Sequence, residues 1–367
     1  MATSFGVKRR ELERALLAAE QSIALLDRCR PENAPAERAR LLRALERGRP
    51  ADPRWRYGRS GGLGELATGL ARLSESAARA GPWGELYAAR ARELLLEARA
   101  AEVVGKPELR DLALARFRVD DDQDSSDALA CATRWARLPA PTPCTARVPS
   151  EDDSDPSSLI SRLRAAIGLR RLPFRVVVVD GLASASATGD GVIAVRAGDR
   201  HDEVTTRRIV LHEVLGHALP RFAARRERSA LFALGTAGGS DDEEGRALLI
   251  EEREGCLDEG RRRELGLRHL AALGVQQGAS WVDTARAMQQ WGASVQEAVD
   301  LASRAHRGGG LAREVVYLPA LFRVRRLLSD RPELERWLER GRIAVRLVPA
   351  LEALGAPPEL LHLPLAA

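Results

Sequence analysis

An α+β fold, predominantly helical, with a small sheet beside one histidine-bearing helix, is what the sequence predicts. Three observations predict it. Leucine and alanine recur at helical spacing through most of the 367 residues. Only two stretches in the chain's middle, Phe174-Arg175-Val176-Val177-Val178-Val179 and Gly191-Val192-Ile193-Ala194-Val195-Arg196, have the β-branched content of strands. The second of these leads within a few residues into an apolar helix carrying His212 and His217.

The elements follow in order. Leu12, Leu16, Leu17, Ile23, Leu25 and Leu26 give residues 6–29 a helical pattern, punctuated by Pro31 and Pro35, and a second helix follows over 36–47. Helices near 63–79 and 83–104 come after the Gly61-Gly62 turn, with Pro82 suited to opening the latter. Residues 1–118 thus read as a helical part packing on the remainder. Residues 119–156 change character: the acidic run Asp120 to Asp127, several prolines and a second acidic cluster at 151–155 predict an exposed connection broken by one short helix. Residues 157–350 read as the catalytic part, with a helix over 157–168, the two strands, and helices near 261–273, 279–292, 294–306, 314–328 and 332–340. A Ser-Ala-Ser-Ala-Thr-Gly-Asp segment between the strands reads as a flexible linker, 342–347 as a short strand, and 351–367 as a tail.

Composition narrows the function classes. A hydrophobic content of 45% supports a large core. The 57 basic residues are interspersed with 52 acidic ones and aromatic content is 4%, so the +5 charge does not describe a nucleic-acid surface with bases to stack. No apolar run is long enough for a membrane span and the first ten residues lack a signal-peptide core, so a cytoplasmic location is expected. Cys29, Cys131, Cys144 and Cys256 have no ligand-like spacing and read as free thiols.

Chemistry concentrates at His212-Glu213-Val214-Leu215-Gly216-His217. Histidines four apart share a helical face, but these are five apart, which on an ideal α-helix separates them by about 140°. A single π-turn would bring them together, with Gly216 easing the backbone and Pro220 ending the regular hydrogen bonding. The neighbours Ile209, Val210, Leu211, Val214, Leu215, Ala218 and Leu219 are apolar, so the helix is buried, and a buried histidine pair needs something to bind. A surface helix with two histidines and no metal is the alternative.

Catalytic zinc commonly keeps three protein ligands. The segment Asp241 to Glu252 supplies candidates, although acidic residues there also suit a helix N-terminus. Glu244, running into Gly245, Ala247 and Leu248, is the choice, with Glu243 and Glu251 in reserve. One zinc ion on His212, His217 and Glu244 would leave Glu213 as general base. Glu251, Glu252, Glu254 and Asp258 are candidates to hold the outer ring nitrogens. Val192, Ile193 and Ala194 form a candidate substrate edge for an extended peptide, or ordinary core. Arg304 and Arg307 beside Gly308-Gly309-Gly310 could receive a peptide's free carboxylate bidentately, and a helix C-terminus attracting cations accounts for them equally well. Tyr317 could donate its hydroxyl to a tetrahedral oxyanion, or simply pack a helix face.

These residues resemble a known family. The metal helix and Glu243-Glu244-Gly245-Arg246-Ala247 are similar to the H-E-x-x-x-H and "QEGLA" motifs of the tubulin tyrosine carboxypeptidases of animals and their bacterial relatives. Pro53-Arg54-Trp55-Arg56-Tyr57, Gly81-Pro82-Trp83-Gly84-Glu85-Leu86-Tyr87, Arg304 with Arg307-Gly308, and Val316-Tyr317-Leu318 resemble further elements, over about residues 30–340. The resemblance implies a zincin-like zinc carboxypeptidase with His212, His217 and Glu244 as ligands, Glu213 as catalytic glutamate, and a peptide or protein C-terminus as substrate. Gly216 stands where the family has threonine, Leu215 where it has glycine, and Arg246 where it has leucine. H-E-x-x-G-H with E-E-x-R-A is also similar to dipeptidyl peptidase III, which implies an aminodipeptidase as the second reading. A catalytically inactive scaffold of the same fold is the third.

Overall fold

The computed structural model describes residues 4–58, 61–118, 122–141, 146–182, 184–355 and 360–364. Asp120, Asp121 and Cys144 lie outside them.

The molecule is mostly helix. In α1 (Arg9–Ile23) Leu12, Leu16, Ala19 and Ile23 bury one stripe at three- and four-residue spacing. The chain before it is not helical: Ser4–Lys8 pairs antiparallel with Leu360–Pro364, so the tail returns to the N-terminus. Pro35 sits in the first turn of α2 (Ala34–Glu46), where a missing N–H costs nothing. The helices α3 (Gly64–Ala78) and α4 (Gly81–Glu102) pack along each other. Within the expected exposed connection lies a 14-residue helix, α5 (Gln123–Ala136). The Asp122 carboxylate accepts the Ser125 N–H as its N-cap, and Ala128, Cys131, Ala132, Trp135 and Ala136 are buried.

After α6 (Leu159–Leu169) comes a three-stranded sheet of β1 (Arg175–Val179), β2 (Ser186–Thr188) and β3 (Val192–Arg196). The order is β1-β3-β2, with β1 parallel to β3 and β2 antiparallel to it. This corrects the expected substrate edge. Val192, Ile193 and Ala194 lie on the middle strand, both of whose sides are already paired, and Ile193 and Val195 are fully buried. The edge is β2, inside the segment read as a linker.

Beyond the sheet run α7 (Glu203–Leu211) and the histidine-bearing helix, which packs with α6 and the sheet around Leu163, Ile193, Val195, Ile209, Val214 and Ala218. The larger core gathers α8 (Gly239–Arg253), α9 (Glu259–Gln276), α10 (Trp281–Gln290), α11 (Val295–Ala305) and α12 (Tyr317–Asp330) with the N-terminal helices, and α5 lies against both α9 and α12. Residues 342–347 are not a strand. The Thr236 N–H donates to the Arg342 carbonyl, the Val345 N–H to the Asp242 carboxylate, and Val345–Leu347 turns as a 3₁₀ helix, so the backbone groups a ladder would use are already taken. Among the described residues no helix is long and apolar enough to cross a membrane.

Candidate metal centre

His212–Ala218 is a π-helix. Its i→i+5 bonding, with the Leu219 N–H donating to the Val214 carbonyl, brings residues five apart onto one face. The unusual histidine spacing is thereby resolved: the His212 and His217 Nε2 atoms stand 3.2 Å apart. The Glu244 Oε2 lies 3.6 Å from the first and 3.8 Å from the second. Ligand bonds of about 2.0–2.1 Å at tetrahedral angles put neighbouring donors about 3.3 Å apart, so two imidazoles and a carboxylate at these separations fit a zinc ion.

Close helix packing sets the triad. A Cβ on Gly216 would come within 2.6 Å of the Ala247 Cβ, and one on Gly245 would overlap the Ala320 backbone. Bare glycines thus let α8 lie between the π-helix and α12, with Glu244 aimed at the histidines.

The reserve ligands have another task. The Glu251 carboxylate, wholly buried, lies 2.7 Å from His212 Nδ1 and accepts the Arg261 Nε and Nη2 hydrogens at 2.9 and 3.1 Å. The Glu243 Oε2 stands 3.3 Å from His217 Nδ1 and accepts from Arg221 at 3.2 Å. Each outer nitrogen therefore has a carboxylate beside it: a hydrogen bond at His212, which orients that ring and raises its basicity as a ligand, and a charge contact at His217. The other candidates for that role are engaged elsewhere: Glu252 with Arg325, Glu254 with Arg207, and Asp258 as the N-cap of α9.

Charge in this layer is balanced tightly. Burial works against ionisation of Glu251 and Glu243, but Arg261 with His212 around the first, and Arg221 with His217 around the second, together outweigh it and hold both near 2. Burial likewise opposes a charge on His212, yet Glu244 and Glu251 prevail and hold its pKa at about 10. Glu244, though buried, is held well below the usual carboxylate range by His212 and then Arg313.

Glu213 points off the ligand face, toward β2. Ser186 Oγ donates to its Oε1 and Thr188 Oγ1 to its Oε2, both at 2.6 Å. The two hydroxyls fix the carboxylate's plane. The sequence reading missed them, because Ser184, Ser186 and Thr188 sit among alanines and a glycine in a segment read as a linker.

The triad opens on a cleft of about 480 Å³. Among the described residues its lining includes eleven arginines and seven carboxylates. Arg313 bridges the site, donating from Nη2 to Glu244 Oε1 at 3.2 Å and from Nη1 to the Tyr317 hydroxyl at 3.1 Å. Burial pushes the Tyr317 pKa up, so the phenol keeps its proton. Arg304 and Arg307 also line the cleft, and both pair with one carboxylate, Glu314, at 2.7 and 3.4 Å. Arg268 lies over the Tyr317 ring, 5.1 Å from its centroid; its ion pair with Glu264 is long at 3.5 Å, and among the described residues its Nε has no acceptor.

No curated protein and no solved structure matches the chain. A family model does, over residues 47–362, and it covers the π-helix, α8 and every cleft residue named above. The chain belongs to the microtubule-associated tyrosine carboxypeptidase family.

Proposed function

We propose that the protein is a zinc-dependent carboxypeptidase that hydrolyses the last peptide bond of a peptide or protein with a free C-terminus. The convergence of His212, His217 and Glu244, each histidine backed by its own carboxylate, carries this reading. A zinc ion held by the three would lower the pKa of water towards about 7 and polarise the attacked carbonyl.

The chain's own groups supply the rest. Glu213, oriented by Ser186 and Thr188, takes the proton of the attacking water on a carboxylate oxygen and delivers it to the leaving nitrogen. Tyr317 accepts a hydrogen bond from Arg313, which leaves its own proton to donate to the oxygen on which charge develops. The outer side of β2 suits an extended substrate backbone, replacing the edge expected on 192–196.

The cleft's excess of arginine favours a carboxylate end over an ammonium end, which supports carboxypeptidase action over aminodipeptidase action. Arg304 and Arg307 bring two guanidiniums to the cleft lining, and Arg268 adds a third whose Nε has no acceptor among the described residues. The family's description names tyrosine, which makes a peptide ending in tyrosine the first substrate to try. Elemental analysis is the test: the wild type is expected to carry one zinc per chain and the His212→Ala protein far less than one. A folded wild type that takes up no zinc would return the site to a buried polar cluster and favour the inactive-scaffold reading.

A further inference from the structure

Pro220 stands just beyond the π-helix, and it has no N–H. In a π-turn residue 220 would donate to the carbonyl five back, that of Leu215; in an α-turn, to the carbonyl four back, that of Gly216. Both donations are lost at a place where the helix is largely buried, and an unpaired buried carbonyl is costly. The Arg246 guanidinium lies at this gap. Its Nη1 donates to the Leu215 carbonyl at 2.9 Å and reaches the Gly216 carbonyl at 3.4 Å.

We infer that Arg246 is a positioning residue for the metal ligands, a side-chain donor that takes the place of the missing Pro220 N–H and keeps the His212–Ala218 helix in its π-turn form. The residue is 5% exposed and two positions beyond Glu244 on α8, so one side chain ties the helix bearing two ligands to the helix bearing the third. Gly216 makes the reach possible, because any Cβ there would push Ala247, the neighbour of Arg246, away. Without the donor, the stretch could recover a carbonyl bond only by tightening towards an α-turn or by admitting water. Either change rotates His217 away from His212, since five-residue spacing shares a face only while the turn is wide.

The inference rests on the metal-centre reading for its consequence, not for its geometry, and a double-mutant cycle separates the two. Arg246→Met keeps the bulk and removes the donors; Pro220→Ala restores a backbone N–H. Zinc affinity is read by competition with a chromogenic chelator, and amide hydrogen exchange over 212–221 is read on the metal-free protein. Arg246→Met is expected to lose roughly 10–100-fold in zinc affinity, the usual scale for losing an outer partner of a metal ligand, and to exchange faster over 212–221. Adding Pro220→Ala should restore much of both, although Pro220→Ala alone changes little. The inference is overturned if Arg246→Met leaves affinity and exchange unchanged, or if Pro220→Ala has the same effect in both backgrounds. If Arg246→Met does not fold, Arg246→Leu, which also lacks a donor, replaces it in the same cycle, with rescue by Pro220→Ala again the deciding result. A wild type that binds no zinc, with the exchange pattern as described, would sink the metal reading and leave the Arg246 contact standing.

Discussion

Glu213 is the residue on which the proposed chemistry turns, and its contacts with Ser186 and Thr188 set it apart from its neighbours. Replacing it by glutamine keeps the volume and can still hydrogen-bond to Ser186 and Thr188, so folding and zinc content should hold while peptide hydrolysis falls by about 10²–10⁴-fold, as expected when a general base is lost. Retained turnover in a folded, zinc-loaded Glu213→Gln protein would remove the assignment. His212 gives a second prediction. With its pKa held at about 10 by Glu244 and Glu251, the imidazole is protonated at neutral pH in the metal-free protein, and zinc must displace that proton. Binding at pH 7 should release about one proton, seen as a calorimetric enthalpy that varies with buffer ionisation, and affinity should rise with pH up to the His212 pKa. A buffer-independent enthalpy would contradict this. At the same scale, Arg268→Ala should raise KM for free-carboxyl peptides, and an equal effect on amidated peptides would argue against carboxylate reading. The candidate cluster was legible because the histidine pair forms a motif and Glu244 runs into the small apolar face of the acidic segment Asp241 to Glu252. Ser186, Thr188 and the contact of Glu243 with His217 were not, since hydroxyl and acidic residues are common on surfaces and only three-dimensional contact distinguishes these.

Among the elements, the π-helix was the most legible. A five-residue histidine separation, a glycine and a following proline are compatible with one metal face only if the turn is widened, and the chain does widen it. The short strand β2 was invisible for the opposite reason: alanine, serine and threonine carry too little apolar contrast for a three-residue strand to stand out, yet pairing with β3 fixes it. Residues 342–347 misled because their apolar alternation is satisfied by separate burial of Ile343 and Val345 around a turn. The stacking of the π-helix, α8 and α12 yields the prediction proper to this scale. Gly245→Ala places a methyl against the Ala320 backbone and Gly216→Ala one against Ala247, so each should cost about 1–3 kcal/mol from overpacking and weaken zinc binding together with stability. Melting curves of metal-free and zinc-loaded protein would show it. Unchanged melting temperatures would mean the helices have more room than their spacing indicates.

For the molecule as a whole, helices and sheet converge on one cleft from distant parts of the chain. The π-helix and β2 line it, α8 brings Glu244 to the histidines, and Arg268, Arg304 and Tyr317, together with Arg307 and Arg313 between α11 and α12, complete the lining. The predominantly helical fold with a sheet at the site was readable from periodicity. The burial of α5 was not, because its acidic flank suggested exposure whereas its alanine-rich face fits between α9 and α12. In the proposed function the same convergence decides which end of a peptide the cleft receives. Mass analysis of peptides incubated with the zinc-loaded protein tests that most directly. Free-carboxyl peptides, tyrosine-ended ones included, should lose single residues from the C-terminus while amidated copies stay intact; loss of dipeptides from the N-terminus, or cleavage indifferent to amidation, would contradict the account.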